Sequence, residues 1–250
     1  MVSPFGAELV GALERSHPSA TITHVEHVPA RLARYAAWPE WVEPRLRRVL
    51  TDAGVASPYL HQAQCAELAW QGRDVVVSTG TSSGKSLGYQ LPVLTALAQD
   101  PTACAVYLTP TKALGSDQLQ ATLRMTQGAG LEGIHPAPYD GDTPVESRAG
   151  IREHSRYVFT NPDMLHAGML GSHARWARLL RHLKYIVVDE CHTYRGVFGA
   201  NVALVLRRLL RIASAYGSSP TLIYASATAA DPAGQALRLS GREAVAVTDD

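Results

Sequence analysis

Cysteine is scarce in this 250-residue chain: Cys65, Cys104 and Cys191 stand too far apart for a zinc-binding spacing and are too few for a complete disulfide framework. A reduced, cytoplasmic setting is the expectation. The N-terminus shows no basic segment followed by an apolar one, and no apolar run approaches membrane-spanning length, so neither a secretory signal nor a membrane partner is expected. An excess of charge of one sign is also missing, since 23 Lys and Arg against 22 Asp and Glu leave a net charge of +1. That balance neither supports nor excludes nucleic acid, because a phosphate-binding surface is local. Arginines gather at Arg31, Arg34, Arg45, Arg47 and Arg48, at Arg148, Arg152 and Arg156, and at Arg175, Arg178 and Arg181. Each set is read as a solvated helix face rather than a DNA footprint. Repeats and low-complexity segments are absent. What is present is 46% hydrophobic residues, enough for a substantial core in one large α/β domain or two small ones.

From residue 57 onward, strand-like apolar runs at 75–78, 105–109, 135–139, 157–160, 185–188, 222–225 and 244–247 alternate with helix-length stretches such as 112–127 and 201–216. Such alternation predicts an α/β domain over 57–250, with a mainly parallel sheet flanked by crossover helices. Residues 1–56 read as a helical N-terminal extension, with helical patterns at 7–15 and 41–53 around a Pro- and His-containing segment. Trp38 and Trp41 within it are either a stacking pair for DNA bases or an anchor that packs the extension on the sheet domain, and packing is the preferred reading.

Two segments carry the chemistry. Residues 74–86 read Asp-Val-Val-Val-Ser-Thr-Gly-Thr-Ser-Ser-Gly-Lys-Ser: a strand, a glycine-bearing loop and the start of an amphipathic stretch at 87–97. The small residues Thr79, Gly80, Thr81, Ser82, Ser83 and Gly84 let backbone N–H groups turn in around phosphate oxygens, aided by the dipole of the following helix. Lys85 is placed to reach the β- and γ-phosphates of a nucleotide, and the Ser86 hydroxyl to ligate Mg2+. Thr79 departs from the generic pattern, which has glycine there; a Gly/Ser surface loop with an exposed lysine is the plainer alternative. Residues 184–195, Lys-Tyr-Ile-Val-Val-Asp-Glu-Cys-His-Thr-Tyr-Arg, form a continuously apolar run ending in Asp189 and Glu190, as for a strand covered on both faces that opens at a carboxyl edge. Read with Lys85, Asp189 holds Mg2+ through water and Glu190 orients and deprotonates the water attacking the γ-phosphate of ATP. A solvated turn or a helix-capping pair is the alternative for these acids.

Further segments fall where carboxyl-edge loops are expected. Residues 57–62, Ser-Pro-Tyr-Leu-His-Gln, end in Gln62, whose amide can pair with the N6 and N7 edges of adenine. Residues 109–114 and 160–165 each follow a strand and open a helix, offering Pro110, Thr111, Lys112, Thr160 and Asn161 to backbone phosphates. Residues 139–143, Tyr-Asp-Gly-Asp-Thr, add a tight turn with Gly141 and Asp142. Each of these is equally well a helix cap or strand-end turn.

Taken in order and spacing, Gly84-Lys85-Ser86, Asp189-Glu190-Cys191-His192 and Ser226-Ala227-Thr228 resemble motifs I, II and III of superfamily-two helicases of the DEAD/DEAH-box class, over about residue 57 to the end. Pro110-Thr111-Lys112 is similar to motif Ia, Thr160-Asn161-Pro162 occupies the motif Ib position, and Gln62 matches the adenine-reading Q motif. The Asp-Glu-Cys-His form, the 139–143 turn and residues 22–27, Ile-Thr-His-Val-Glu-His, resemble the narrower group of mitomycin-repair-factor-type DNA helicases, related to the RecQ-like family. The resemblance implies a RecA-like P-loop NTPase lobe that binds ATP and Mg2+, with His192 facing Ser226 and Thr228 to couple nucleotide state to strand state. It implies a single-stranded nucleic-acid partner, DNA favoured, with three-prime to five-prime movement in DNA repair. It also implies a second RecA-like lobe of the same polypeptide that supplies an arginine finger. That lobe does not follow within these 250 residues, so the chain is expected to be a fragment that binds Mg-ATP weakly and hydrolyses it negligibly. An RNA helicase lobe and a non-motor ATP switch are the alternatives; the Ser-Ala-Thr strand end and the Pro-Thr-Lys turn argue against the switch.

Overall fold

The computed structural model describes residues 4–17, 19, 21–26, 32–80 and 83–248; Thr81 and Ser82 of the phosphate loop, with His27 and Arg31, lie outside them. Packing divides the chain into two compact units, residues 1–33 and residues 34–250. The first contains helix α1 (Pro4–Ser16). The second contains α2 (Pro44–Asp52), α3 (Leu60–Trp70), β1 (Val75–Ser78), α4 (Ser86–Gln99), β2 (Cys104–Leu108), α5 (Lys112–Gly128), β3 (Ala137–Pro138), α6 (Val145–His154) and β4 (Tyr157–Thr160). It continues with the short α7 (Pro162–Met164), irregular helical turns, α8 (Ala177–Arg181), β5 (Leu183–Val188), α9 (Gly196–Ala215), β6 (Thr221–Ser226), α10 (Pro232–Ser240) and β7 (Val245–Val247).

Seven strands form one sheet in the order β3-β4-β2-β5-β6-β1-β7, every pairing parallel. The predicted α/β class with a parallel, helix-flanked sheet is therefore the architecture found. Alternating strand residues feed two cores. Val75, Val77, Ala105, Tyr107, Tyr185 and Val187 pack with α2, α3, α4 and α5 on one face. Val76, Val106, Val158, Ile186, Leu222 and Tyr224 pack with the 165–180 segment, α9 and α10 on the other. Burial on both faces is why the strands read as unbroken apolar runs. The short β3, with prolines at 136 and 138, lies at an edge, where a missing N–H costs no ladder bond. Among the described residues no helix is long and apolar enough to cross a membrane.

The expected division at residue 56 differs from the observed one at 33/34. Residues 34–56 join the sheet unit because Trp38, Val42, Leu46 and Leu50 enter its core and because Leu60 N–H bonds Arg34 O while Ala36 N–H bonds Pro58 O. Trp38 is buried and donates to Ala56 O at 2.9 Å; Trp41 stacks on Trp70 with centroids 4.4 Å apart and donates to Glu67 Oε2 at 2.7 Å. Both tryptophans are packing anchors. The arginines also differ from expectation in part: Arg156 donates to Leu97 O and Asp100 O, Arg178 to Ser155 O, and Arg148 to Thr143 O, so these three brace backbone rather than form a solvated face.

Candidate functional site

The expected edge loop at 57–62 is instead the entry into α3, and His61 and Gln62 are buried in its first turn. Gln62 Oε1 accepts from Tyr59 N–H at 2.9 Å and its Nε2 donates to Gly84 O at 2.8 Å. Helix α3 sits close enough to α4 for this because Gly88 leaves room for Cys65: a Cβ on Gly88 would meet Cys65 Cβ at 3.1 Å. Each amide atom of Gln62 has one hydrogen-bonding position left, so an adenine edge would share it with the protein.

After β1 the chain turns through Thr79 and Gly80. Thr79 is buried, and its hydroxyl meets that of Ser83 at 2.6 Å, bridging the loop across a position where the generic pattern has glycine. Lys85 Nζ lies 3.1 Å from Thr79 O and 2.7 Å from Gly80 O, folded over the loop's own carbonyls. Ser86 opens α4, and a cavity of about 680 Å³ beside it is lined by Tyr59, Gln62, Gly84, Ser86, Leu87 and Gln118.

Two strands along, β5 ends in the acid pair. Asp189 N–H bonds Leu108 O at 2.9 Å, which fixes the turn to β2. Asp189 Oδ1 accepts from Glu190 N–H at 2.8 Å, and its Oδ2 accepts from the hydroxyls of Tyr107 and Tyr89. Burial, then the Asp189 charge, pushes both phenols above their usual range, so they remain protonated donors. Glu190 has φ 49° and ψ 38°, a left-handed conformation that side-chain-bearing residues adopt rarely and that concentrates at functional sites. His192 Nδ1 lies 3.1 Å from Glu190 Oε2 and 3.2 Å from Ala227 N. A neutral ring nitrogen either donates to the carboxylate or accepts from the amide, so the two contacts exclude each other.

Between these strands, β6 delivers Ser226, Ala227 and Thr228. His192 meets this segment at the Ala227 amide rather than at the Ser226 or Thr228 side chain. The Ser226 hydroxyl is buried and donates to Ala227 O, while Ser78, at the end of β1, donates to the same carbonyl at 2.9 Å and accepts from Ala229 N–H at 3.1 Å. The carboxyl ends of β1, β6 and β5 are thus tied into one surface.

The other half of the edge, after β2, β4 and β3, forms a groove of about 520 Å³ lined by Thr111, Lys112, Asp140, Asp142, Thr160 and Asn161 among others. Thr111 caps α5 through Leu114 N–H, and Asn161 caps α7 through Met164 N–H at 2.9 Å. Lys112 pairs with Asp142 at 2.6 Å, both exposed, and Gly141 lies beside them. Thr160 departs from expectation: its hydroxyl is buried on Tyr139 O at 2.7 Å and is not offered to a ligand. Pro110 follows β2 at the groove's margin, half-buried.

A family model described as DEAD/DEAH box helicase matches residues 59–236. The chain belongs to that family. It is 42% identical over 229 residues to the uncharacterized ATP-dependent helicase YprA of Bacillus subtilis, covering 92% of this chain and 30% of that protein. ATP-dependent helicase HRQ1 of Saccharomyces cerevisiae is 40% identical over 212 residues, with 84% of this chain and 19% of that protein covered. The crystal structure of DUF1998 helicase MrfA bound to DNA and AMPPNP is similar with a TM-score of 0.91 and 40% identity, over 98% of this chain and 34% of that one. The chain thus spans about a third or less of these relatives' lengths. The narrower resemblance, to the mitomycin-repair and RecQ-like-related group, agrees with these relatives.

For a DEAD/DEAH box lobe, the oxygen donors Ser86 and Asp189 suit Mg2+, a hard cation that needs few protein ligands when phosphates and waters complete its shell. No cluster of three or more His, Cys, Asp or Glu suited to a metal occurs among the described residues. Sequence reasoning missed Ser78, Tyr89, Tyr107 and Gln118. Tyr89 stands three positions after Ser86 on α4, which puts it on the same helix face, and that spacing was the available signal. Tyr107 lies inside an apolar run and gave none.

Proposed function

We propose that this chain is the nucleotide-binding motor lobe of an ATP-dependent DNA helicase. The observation that carries the reading is the sheet order: the Lys85 loop, the 226–228 segment and the Asp189-Glu190 turn end three neighbouring strands, β1, β6 and β5, and the Lys112 groove ends the adjoining β2, β4 and β3. Lys85 would exchange its loop carbonyls for the β- and γ-phosphates of ATP, with backbone N–H groups at the start of α4 beside them. Ser86 and, through water, Asp189 would hold Mg2+, which when bound would neutralise phosphate charge. Glu190 orients the attacking water. His192, choosing between Glu190 and Ala227, links that water site to the segment flanked by Ser226 and Thr228. Gln62 borders the base. Pro110, Thr111, Lys112, Gly141, Asp142 and Asn161 form the wall along which a single strand's phosphates run.

The relatives' names support ATP as the nucleotide and DNA as the strand; resemblance alone supports three-prime to five-prime movement, DNA repair and a second RecA-like lobe that brings an arginine finger, and the scarce, scattered cysteines support a cytoplasmic setting. Without that arginine, phosphoryl transfer is slower by on the order of a thousandfold or more, so hydrolysis by these 250 residues alone is expected to be negligible. Filter binding with matched DNA and RNA single strands tests the reading. DNA is expected to bind more tightly, and Lys112→Ala to weaken binding evenly across sequences and to reduce the salt slope by roughly 0.7. Tighter RNA binding favours an RNA helicase lobe instead, and ATP binding with no strand binding favours a switch module.

A further inference from the structure

Beneath the acid pair, one phenol is shared between two acceptors. The Tyr89 hydroxyl lies 3.1 Å from Asp189 Oδ2 and 3.0 Å from Gln118 Oε1. It has a single proton, so it donates to one of them at a time. Tyr89 itself is 1% exposed, whereas its two acceptors, Asp189 and Gln118, are only partly buried. Tyr107, from β2, donates to the same Asp189 oxygen whichever way Tyr89 turns. Gln118 belongs to α5, the helix whose first turn presents Thr111 and Lys112 to the groove.

We propose that Tyr89 is a positioning residue that links the strand groove to the metal aspartate through Gln118. The inference rests on the reading of Asp189 as the Mg2+ carboxylate and of the groove as the strand site. A strand held at Thr111 and Lys112 settles α5 so that the Tyr89 hydroxyl donates its hydrogen bond to Gln118 Oε1 and not to Asp189. Asp189 Oδ2 then accepts from Tyr107 alone and becomes the better acceptor for metal-bound water. Strand binding thereby tightens Mg-nucleotide binding, and by linkage the nucleotide tightens strand binding by the same factor.

The test is equilibrium binding of a non-hydrolysable ATP analogue with Mg2+ to the 250-residue chain, with and without a saturating DNA oligonucleotide. The readout is the ratio of the two dissociation constants. A wild-type ratio of roughly fivefold or more is expected. Tyr89→Phe and Gln118→Leu are each expected to bring it to within about twofold of one, and the double variant to do no more than either alone. A Tyr89→Phe ratio equal to the wild type's overturns the relay, as does a wild-type ratio of one. A variant that weakens both ligands while keeping the ratio assigns Tyr89 to packing only and also overturns it. Absence of either ligand's binding to the wild type contradicts the underlying functional reading and removes the relay with it.

Discussion

Gly84 is the residue at which backbone freedom and site geometry meet. Its φ of +74° lies in the left-handed region, and a Cβ there would stand 2.7 Å from Gln62 Nε2, an atom already committed to the Gly84 carbonyl. Gly84→Ala is therefore expected to lower stability by about 1–2 kcal/mol through backbone strain, and to displace Gln62 as well. A urea titration alongside binding of an ATP analogue checks this; an unchanged midpoint with unchanged affinity would show that the loop does not need its glycine. At this scale the sequence marked the positions of the charged residues: Lys85 stands in a Gly- and Ser-bearing loop after a strand, and Asp189 and Glu190 end an apolar run. Tyr107 was not readable, because a tyrosine in an apolar run has the pattern of core whether or not its hydroxyl reaches a carboxylate, and Tyr89 was marked only by its spacing from Ser86. Thr160 misled for the converse reason: a hydroxyl at a strand end was read as a ligand group, and it satisfies the Tyr139 carbonyl instead.

Among elements, the inner strands β1, β2, β4, β5 and β6 were legible because they are buried on both faces, and burial writes itself as consecutive Val, Ile, Leu and Tyr. Helix α3 was not. Its sequence, Leu-His-Gln-Ala-Gln-Cys-Ala-Glu-Leu-Ala-Trp, mixes small and polar residues on a largely buried helix, so no apolar stripe marks it, and the preceding Ser57-Pro58 suggests a loop. The 34–56 segment was assigned to the extension on its helical pattern and its Pro- and His-containing stretch, yet its few large apolar residues place it in the core of the sheet unit. Trp38→Ala tests that placement. Trp38 is 9% exposed and hydrogen-bonded to Ala56, so its truncation is expected to cost about 3–5 kcal/mol in chemical denaturation. A loss below about 1 kcal/mol would mean that the segment lies on the sheet unit without stabilising it.

For the sheet unit as a whole, function follows from which strand ends are neighbours. The order β3-β4-β2-β5-β6-β1-β7 sets three motif-bearing ends side by side and three groove-bearing ends beside them, an arrangement that alternation of strands and helices predicts as a class but not as an order. The spacing of motifs in the chain could name the parts; only the crossovers bring residue 78 to residue 227 and residue 189 to residue 108. The central claim is that the edge formed by β1, β6 and β5 is a Mg-nucleotide site. Its most direct test is equilibrium binding of a fluorescent, non-hydrolysable ATP analogue to wild type and Lys85→Ala, each with Mg2+ and with chelator. Saturable, Mg2+-dependent binding that weakens at least about tenfold in Lys85→Ala, a difference of roughly 1.4 kcal/mol, is the predicted result. Equal affinity in the two proteins, or binding indifferent to Mg2+, would contradict it.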